Sequence, residues 1–263
     1  MIEKLSVFLT GTDVYGHSPF SALAILAFAG KEGRWAVAGL LTVAFTVLAR
    51  RLRGVTNSGA LAGAFSCFVI YVSGGPAAFA ALITVFALAW ITTRLGYARK
   101  QKLGTAERRE GRKASQVAAN LGIATACAAA SIISHERTIF LLATAAALSE
   151  AAADTVSSEV GQAFGEPPRL ITSWRSVPAG TDGGVSLIGT TAGIAAAGIV
   201  SSVCLLGGLL PLPWLASSIG AAVLGMIADS FLGAGLERRG LVNNDLVNFL
   251  GTLTAAAAAY WLA

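Results

Sequence analysis

Apolar residues run along this chain in blocks, at about 18–30, 34–49, 59–73, 76–93, 114–133, 138–159, 184–208, 213–236 and 245–262. A hydrocarbon core of about 30 Å is crossed by around 20 predominantly apolar residues rising 1.5 Å each. The pattern therefore predicts about nine transmembrane helices, or eight if the short first block only lies on the surface. Ala and Gly recur inside the blocks, as at Ala192, Gly193, Ala196 and Ala197. Small residues of this kind let helices approach closely in lipid. The expected fold is all-α, a polytopic transmembrane bundle forming one domain over 1–263.

Composition agrees. Hydrophobic residues make up 55% of the chain and charged residues 13%, where a soluble domain averages about 25% charged. That leaves too little polar surface for a water-soluble globule. The cations are distributed by side. Sixteen of the 19 Lys and Arg fall at the N-terminus or in the even-numbered connections, including Arg50, Arg51 and Arg53, the run from Arg94 to Lys113, Arg169, Arg175, Arg238 and Arg239. Only Lys31, Arg34 and Arg137 fall on the other side. Positive loops stay in the cytoplasm, so the N-terminus is expected inside and the C-terminus outside. The net charge of +5 thus reports membrane orientation and lipid contact, not nucleic-acid binding. Met1–Gly16 carries Lys4 and Asp13 without a long apolar run, so no cleavable signal is expected. Cys67, Cys127 and Cys204 stand singly in apolar runs and suggest neither zinc nor disulfides.

Carboxylates in a membrane helix are costly and mark function. Glu150, Asp154 and Glu159 lie in the inner half of the sixth block, Asp229 near the inner end of the eighth, Asp182 and Asp245 at the starts of the seventh and ninth. All six map to the side that Lys and Arg define as cytoplasmic. In A-D-T-V-S-S-E-V-G (153–161), Asp154 and Ser158 share a helix face. Glu159 lies about 140° further round and joins them only if the helix ends, which Gly161 and Gly165 permit. A-D-S at 228–230 echoes A-D-T. Two facing acidic helices suit Mg2+ and phosphate; the alternative is that the acids pair with arginines and orient helices.

Other polar segments fall on the same side. V-P-A-G-T-D-G-G-V-S (177–186) is a glycine-rich loop opening a helix, where backbone N–H groups bind anions, although a plain turn serves equally. No Gly-Lys-Ser/Thr follows, so it is not a Walker A loop. Arg112, Gln116 and Asn120 form a stripe into the fifth block, with Lys100 and Lys102 upstream. Lipid headgroups account for part of this basic run, Arg108 and Arg109 among it. In N-N-D-L-V-N (243–248), Asn243 and Asn244 suit a helix cap and Asp245 the first turn, while Asn248 needs a polar partner.

D-T-V-S-S-E-V-G (154–161), V-P-A-G-T-D-G-G-V-S (177–186), D-S-F-L-G-A (229–234) and N-N-D-L-V-N (243–248), in this order and spacing, resemble the integral-membrane family that includes the phytyl-phosphate kinase of plants and cyanobacteria. That enzyme makes phytyl diphosphate for tocopherol synthesis. The likeness runs from about residue 50 to the C-terminus, is strongest over 150–250, and does not discriminate within 1–50. It is closest at Asp154, Thr155, Ser158, Glu159 and Gly161, and it implies that Asp, Asn or Glu is tolerated at 182 and 229. The family is also similar to CTP-using membrane lipid kinases and cytidylyltransferases, which rely on acids, Mg2+ and a basic cytoplasmic loop.

The resulting expectation is a Mg2+-dependent kinase that moves a phosphoryl group from a nucleoside triphosphate, CTP favoured over ATP, to a prenyl monophosphate such as phytyl phosphate. Asp154, Glu159 and Asp229 are expected to hold the metal. Gly180, Thr181, Gly183 and Gly184 are expected to hold phosphate through backbone N–H groups, and Lys100, Lys102 and Arg112 to neutralise it. Gln116, Asn120, Thr155, Ser158, Asp182, Ser230, Asn243, Asn244, Asp245 and Asn248 would complete the substrate wall. In a bacterium the membrane would be the cytoplasmic one. The rivals are a cytidylyltransferase forming a CDP-lipid and a transporter of a phosphorylated metabolite. The transporter needs a midplane site open to both sides, and the outer halves of the blocks hold almost no charge.

Overall fold

The computed structural model describes residues 31–107 and 110–263; the expected segment 18–30, Lys4, Arg108 and Arg109 lie outside them. The described chain is helical apart from one short ribbon. Helix α1 spans Lys31–Arg51, α2 Asn57–Arg94, α3 Tyr97–Leu103, α4 Ala114–Ile133 and α5 Arg137–Phe164. After strands β1 (Arg169–Leu170) and β2 (Gly184–Val185) come α6 (Leu187–Leu206), α7 (Leu215–Gly235) and α8 (Asn244–Trp261). Short 3-10 turns at Leu212–Trp214 and Glu237–Arg239 flank α7. Six of the described helices are long and apolar enough to cross a membrane. Asn244, Asp245 and Asn248 make the first turns of α8 too polar for it to be among them.

The 38-residue α2 holds two of the expected segments. Unbroken it would reach roughly 57 Å. Instead both its ends meet one turn. At its start Arg50 Nε donates to Asn57 Oδ1 at 2.6 Å, and at its end Trp90 Nε1 and Arg94 Nη2 donate to Leu52 O at 3.0 and 2.8 Å. The helix therefore folds back as a hairpin. The break is at Gly75, whose φ of 67° is open to glycine and strained for other residues. Pro76 follows and lacks an N–H. Beside this break the carbonyl of Ser73 accepts from Arg34 at 3.4 Å and Arg137 at 2.7 Å. Two of the three cations expected opposite the basic side thus close this turn.

Helix α5 is the centre of the bundle. Every residue from Leu141 to Ala153 is buried, which fits a helix apolar all round. Small residues let its neighbours close on it. A β-carbon on Gly189 of α6 would stand 2.6 Å from Ser157 O, and one on Gly193 2.8 Å from Ala153 O. A buried hydroxyl chain, Ser149–Ser201–Ser218 with 2.9 Å at each step, links α5, α6 and α7. Outward-facing Leu40, Leu61, Phe65, Ile133, Leu187 and Leu206 are widely exposed. Water would not tolerate that surface, and a bilayer does.

The packing generates a controlled comparison on one helix. Gly193→Leu must displace α5 and should lower stability by about 1–3 kcal/mol. Gly198→Leu, on the same helix with nothing within 4 Å of its β-carbon position, should change it by less than about 0.5 kcal/mol. Thermal unfolding of both variants in detergent checks this, and equal losses would refute the tight α5–α6 contact.

Candidate active site at the basic end of the bundle

A polar cavity of about 340 Å³ opens among α4, α5, α7, α8 and the loop before α6. It gathers Arg112, Gln116 and Asn120; Asp154, Thr155, Ser158 and Glu159; Gly180, Thr181, Asp182, Gly183 and Gly184; Asp229 and Ser230; and Asn244 and Asn248. Segments far apart in sequence thus meet in one place, and each is held by local geometry.

Arg112 precedes α4 and is fixed by its backbone. Its N–H donates to Gly54 O at 3.0 Å, and its carbonyl accepts from Thr56 N at 2.9 Å. That approach needs two bare glycines. A β-carbon on Gly111 would lie 2.5 Å from Val55 N, and one on Gly59 2.1 Å from Arg112 O. The guanidinium then reaches Thr155 Oγ1 (Nη2, 3.3 Å) and Glu107 Oε2 (Nε, 3.7 Å). Gln116 receives the Lys113 N–H at 2.9 Å and donates to Glu107 Oε1 at 3.2 Å. Asn120 Nδ2 donates back to Gln116 O at 2.9 Å.

The glycine-rich loop is pinned at its base by the antiparallel β1–β2 pair, Arg169 against Val185 and Leu170 against Gly184. Gly183, at φ 73°, lies so close to α7 that a β-carbon would meet Ala234 N at 2.5 Å. Within the loop Thr181 N donates to Pro178 O and Gly184 N to Thr181 O. Among the described residues the N–H groups of Gly180 and Gly183 enter no backbone hydrogen bond.

On the acidic wall, the carboxylates of Asp154 and Asp229 are within hydrogen-bonding reach of each other. Glu150 is one turn deeper on the same face of α5 and 1% exposed. Its Oε1 and Asp229 Oδ2 are buried without a hydrogen-bond partner among the described residues. Gly251 on α8 makes room for both, since a β-carbon there would stand 2.6 Å from Glu150 Oε1 and 3.3 Å from Asp229 Oδ2. The described cavity lining carries six carboxylates, on Glu107, Asp154, Glu159, Asp182, Asp229 and Glu237, against the single guanidinium of Arg112. A polyphosphate entering such a field needs counter-cations.

Some expected residues stand elsewhere. Lys100 is fully buried in α3. Its Nζ makes an ion pair with Glu159 and donates to Thr92 O and Thr93 O at 3.1 and 2.7 Å. Glu159 Oε1 also accepts from Thr93 Oγ1 at 3.2 Å. The two predicted roles, phosphate ligand and metal ligand, therefore meet in one structural pair that covers the last carbonyls of α2. Lys102 is exposed on α3 outside the cavity lining. Asn243 is exposed and caps α8, accepting from Leu246 N at 3.0 Å, and Asp245 in the first turn of α8 does not line the cavity either. Conversely, Glu107 and Glu237 line it without having been singled out. Each sits beside arginines, Glu107 before Arg108 and Glu237 before Arg238, and in such charged runs nothing local marks one residue as inward. Glu150 had a signal, its place in an apolar block.

Among the described residues no three His, Cys, Asp or Glu side chains gather closely enough to hold an ion by themselves. Magnesium commonly takes one or two protein carboxylates and completes its shell with waters and substrate phosphates. The adjoining pair Asp154 and Asp229, with one buried oxygen unpartnered, fits that pattern.

No solved structure matches this chain. Curated relatives do. Protein VTE6, chloroplastic, of Arabidopsis thaliana is 29% identical over 238 residues, covering 87% of this chain and 71% of its own. An uncharacterized membrane protein of Methanocaldococcus jannaschii is 29% identical over 216 residues, 81% and 88% of the two chains. One of Synechocystis sp. is 33% identical over 196 residues, 73% and 76%. The model of the family described as integral membrane protein DUF92 matches residues 40–256, a stretch that takes in every element lining the cavity. This chain is a multi-pass membrane protein and belongs to that family.

Proposed function

We propose that this chain is a membrane phosphotransferase that moves the γ-phosphoryl group of a nucleoside triphosphate, CTP favoured, onto a prenyl monophosphate such as phytyl phosphate. The observation that carries the reading is the acidic cavity itself: Asp154 and Asp229 adjoin, Arg112 faces them, and a glycine-rich loop closes the wall. A membrane helix bundle has no packing reason to collect such groups. The motif resemblance supplies the prenyl class, and the comparison with Arabidopsis VTE6 is consistent with it. We further propose that the cavity faces the cytoplasm, where the cation-rich connections belong.

In this reading Asp154 and Asp229 hold Mg2+, which supplies charge neutralisation to the donor phosphates. Gly180 and Gly183 donate backbone N–H groups to phosphate oxygens. Arg112, anchored on Thr155 and Glu107, orients the acceptor phosphate. A phosphate oxygen of the acceptor is already an anion, so attack on the γ-phosphorus needs no strong base. The new P–O bond forms as the bond to the β–γ bridging oxygen breaks, and the nucleoside diphosphate leaves with the electron pair. Positioning and electrostatics are most of such catalysis. Lys100 and Glu159 act at one remove, locking α3 and the end of α2 beside the catalytic helix.

Two outcomes are expected. Purified protein in detergent with Mg2+, γ-labelled CTP or ATP and phytyl monophosphate should yield labelled lipid diphosphate, with Asp154→Asn and Asp229→Asn each lowering kcat/KM on the order of 10²–10³-fold at unchanged thermal unfolding. Pyrophosphate release without labelled lipid would instead indicate cytidylyl transfer, and silence in both assays would reject the enzyme reading. Separately, Lys100→Met strips the part-buried Glu159 of its cation and Thr92 O and Thr93 O of their donor and should destabilise the fold by about 1–3 kcal/mol, while Lys100→Met with Glu159→Met should recover part of the loss. Denaturation of the two variants beside the parent protein distinguishes this from a phosphate-binding Lys100, whose removal would leave stability unchanged.

A further inference from the structure

A second cavity of about 360 Å³ lies between α1, both arms of α2 and α4. Its walls are of the opposite character. Phe45, Leu82, Val85, Phe86, Val117 and Leu121 line it, and Gly63 leaves one side open, with nothing within 4 Å of its β-carbon position. The charges are gathered at one end, where Arg53, Arg94 and Arg112 line it. Arg94 is committed there: it stacks on Trp90 at 4.0 Å and holds Leu52 O. The two cavities touch, because Glu107, Arg112 and Asn120 line both. From Arg94 back to Leu82 the helix rises roughly 18 Å, more than half of a hydrocarbon core of about 30 Å.

We propose that this apolar chamber binds the tail of the acceptor lipid, a single-chain isoprenoid monophosphate, and that Arg112 presents its phosphate to the acidic cavity. The inference rests on the phosphotransferase reading for the identity of the head group. The matching is one of amphipathic shape. An anionic head with a long apolar tail satisfies both ends of the chamber, whereas a nucleotide would leave its polar atoms unpaired against Phe and Leu. The donor therefore enters through the polar cavity and the acceptor from the apolar one, and they meet at Arg112. The volume next to Gly63 and Leu82 then sets which chain lengths are accepted.

The test uses the full chain in phosphatidylcholine nanodiscs and a C20 isoprenoid monophosphate carrying a diazirine midway along the chain. After illumination, peptide mapping should find label within 82–90 and 117–121, displaced by excess phytyl phosphate. Label confined to the lipid-facing surface around Leu61 and Phe65, or displaced equally by a two-chain phosphatidic acid, would overturn the proposal. In the kinetic arm, Gly63→Phe and Gly63→Trp should raise the ratio of KM for the C20 substrate to that for a C5 prenyl monophosphate by about tenfold. An unchanged ratio in folded variants would also overturn it. Label in the chamber with no diphosphate formed sinks the phosphotransferase reading and leaves the chamber standing; diphosphate formed with label only outside it does the reverse.

Discussion

A carboxylate inside a bilayer must be enclosed by protein, and the architecture of this bundle follows from that requirement. Asp154 and Glu150 lie on the helix that α2, α4, α6, α7 and α8 surround. Glu150 sits where Gly225 of α7 and Gly251 of α8 remove the side chains that would collide with it. Asp229 reaches Asp154 from α7 across the same gap. Had α5 been peripheral, its acids would face lipid at a cost of several kcal/mol each. The alanines that make α5 thin, from Ala143 to Ala153, are therefore part of the site: they let α6, α7 and α8 come near enough to bury acid against acid.

Enclosure alone leaves polar oxygens unsatisfied, and the structure answers this in the same way at both ends of the bundle. At the basic end of α2, the carbonyls of Thr92 and Thr93 are covered by Lys100, whose charge is balanced by Glu159. At the hairpin tip, Ser73 O is covered by Arg34 and Arg137. In each place a long cationic side chain closes a helix end. The pair Asp154–Asp229 has no such cation of its own, since Arg112 is already engaged with Thr155 and Glu107. The acid pair that no side-chain cation binds directly thus lies where a ligand can reach it.

The sequence makes the helices and the acids legible because both are local signals. The block at 114–133 coincides with α4, and the paired blocks at 59–73 and 76–93 anticipate the two arms of α2 with Gly74 and Gly75 between them. The polar stripe Arg112, Gln116, Asn120 is legible for the same reason, being a helical repeat. What is not legible depends on partners far away in the chain. Lys100 resembles the surface lysines around it until the end of α2 and Glu159 are in place. Asn243 could cap or bind, and only the fold decides that it caps. Glu107 and Glu237 are hidden by their arginine neighbours, and the apolar chamber has no sequence signature because its lining is drawn from separate helices, α1, both arms of α2 and α4.

Arg112 is where these constraints join. It belongs to no helix and is held by backbone pairing with Gly54 and Thr56, made possible by Gly59 and Gly111. The backbone pairing fixes where the side chain starts, and Thr155 and Glu107 hold its guanidinium. This suits a residue shared by an apolar chamber and an acidic cavity: in the proposed reaction it would set the distance between the end of a lipid tail and the pair Asp154–Asp229. For a phosphoryl transfer made mostly of positioning, that distance is the contribution the protein would make before either substrate arrives. It also explains why Gly59 and Gly111, which stand before the acidic motifs in sequence, shape the same site.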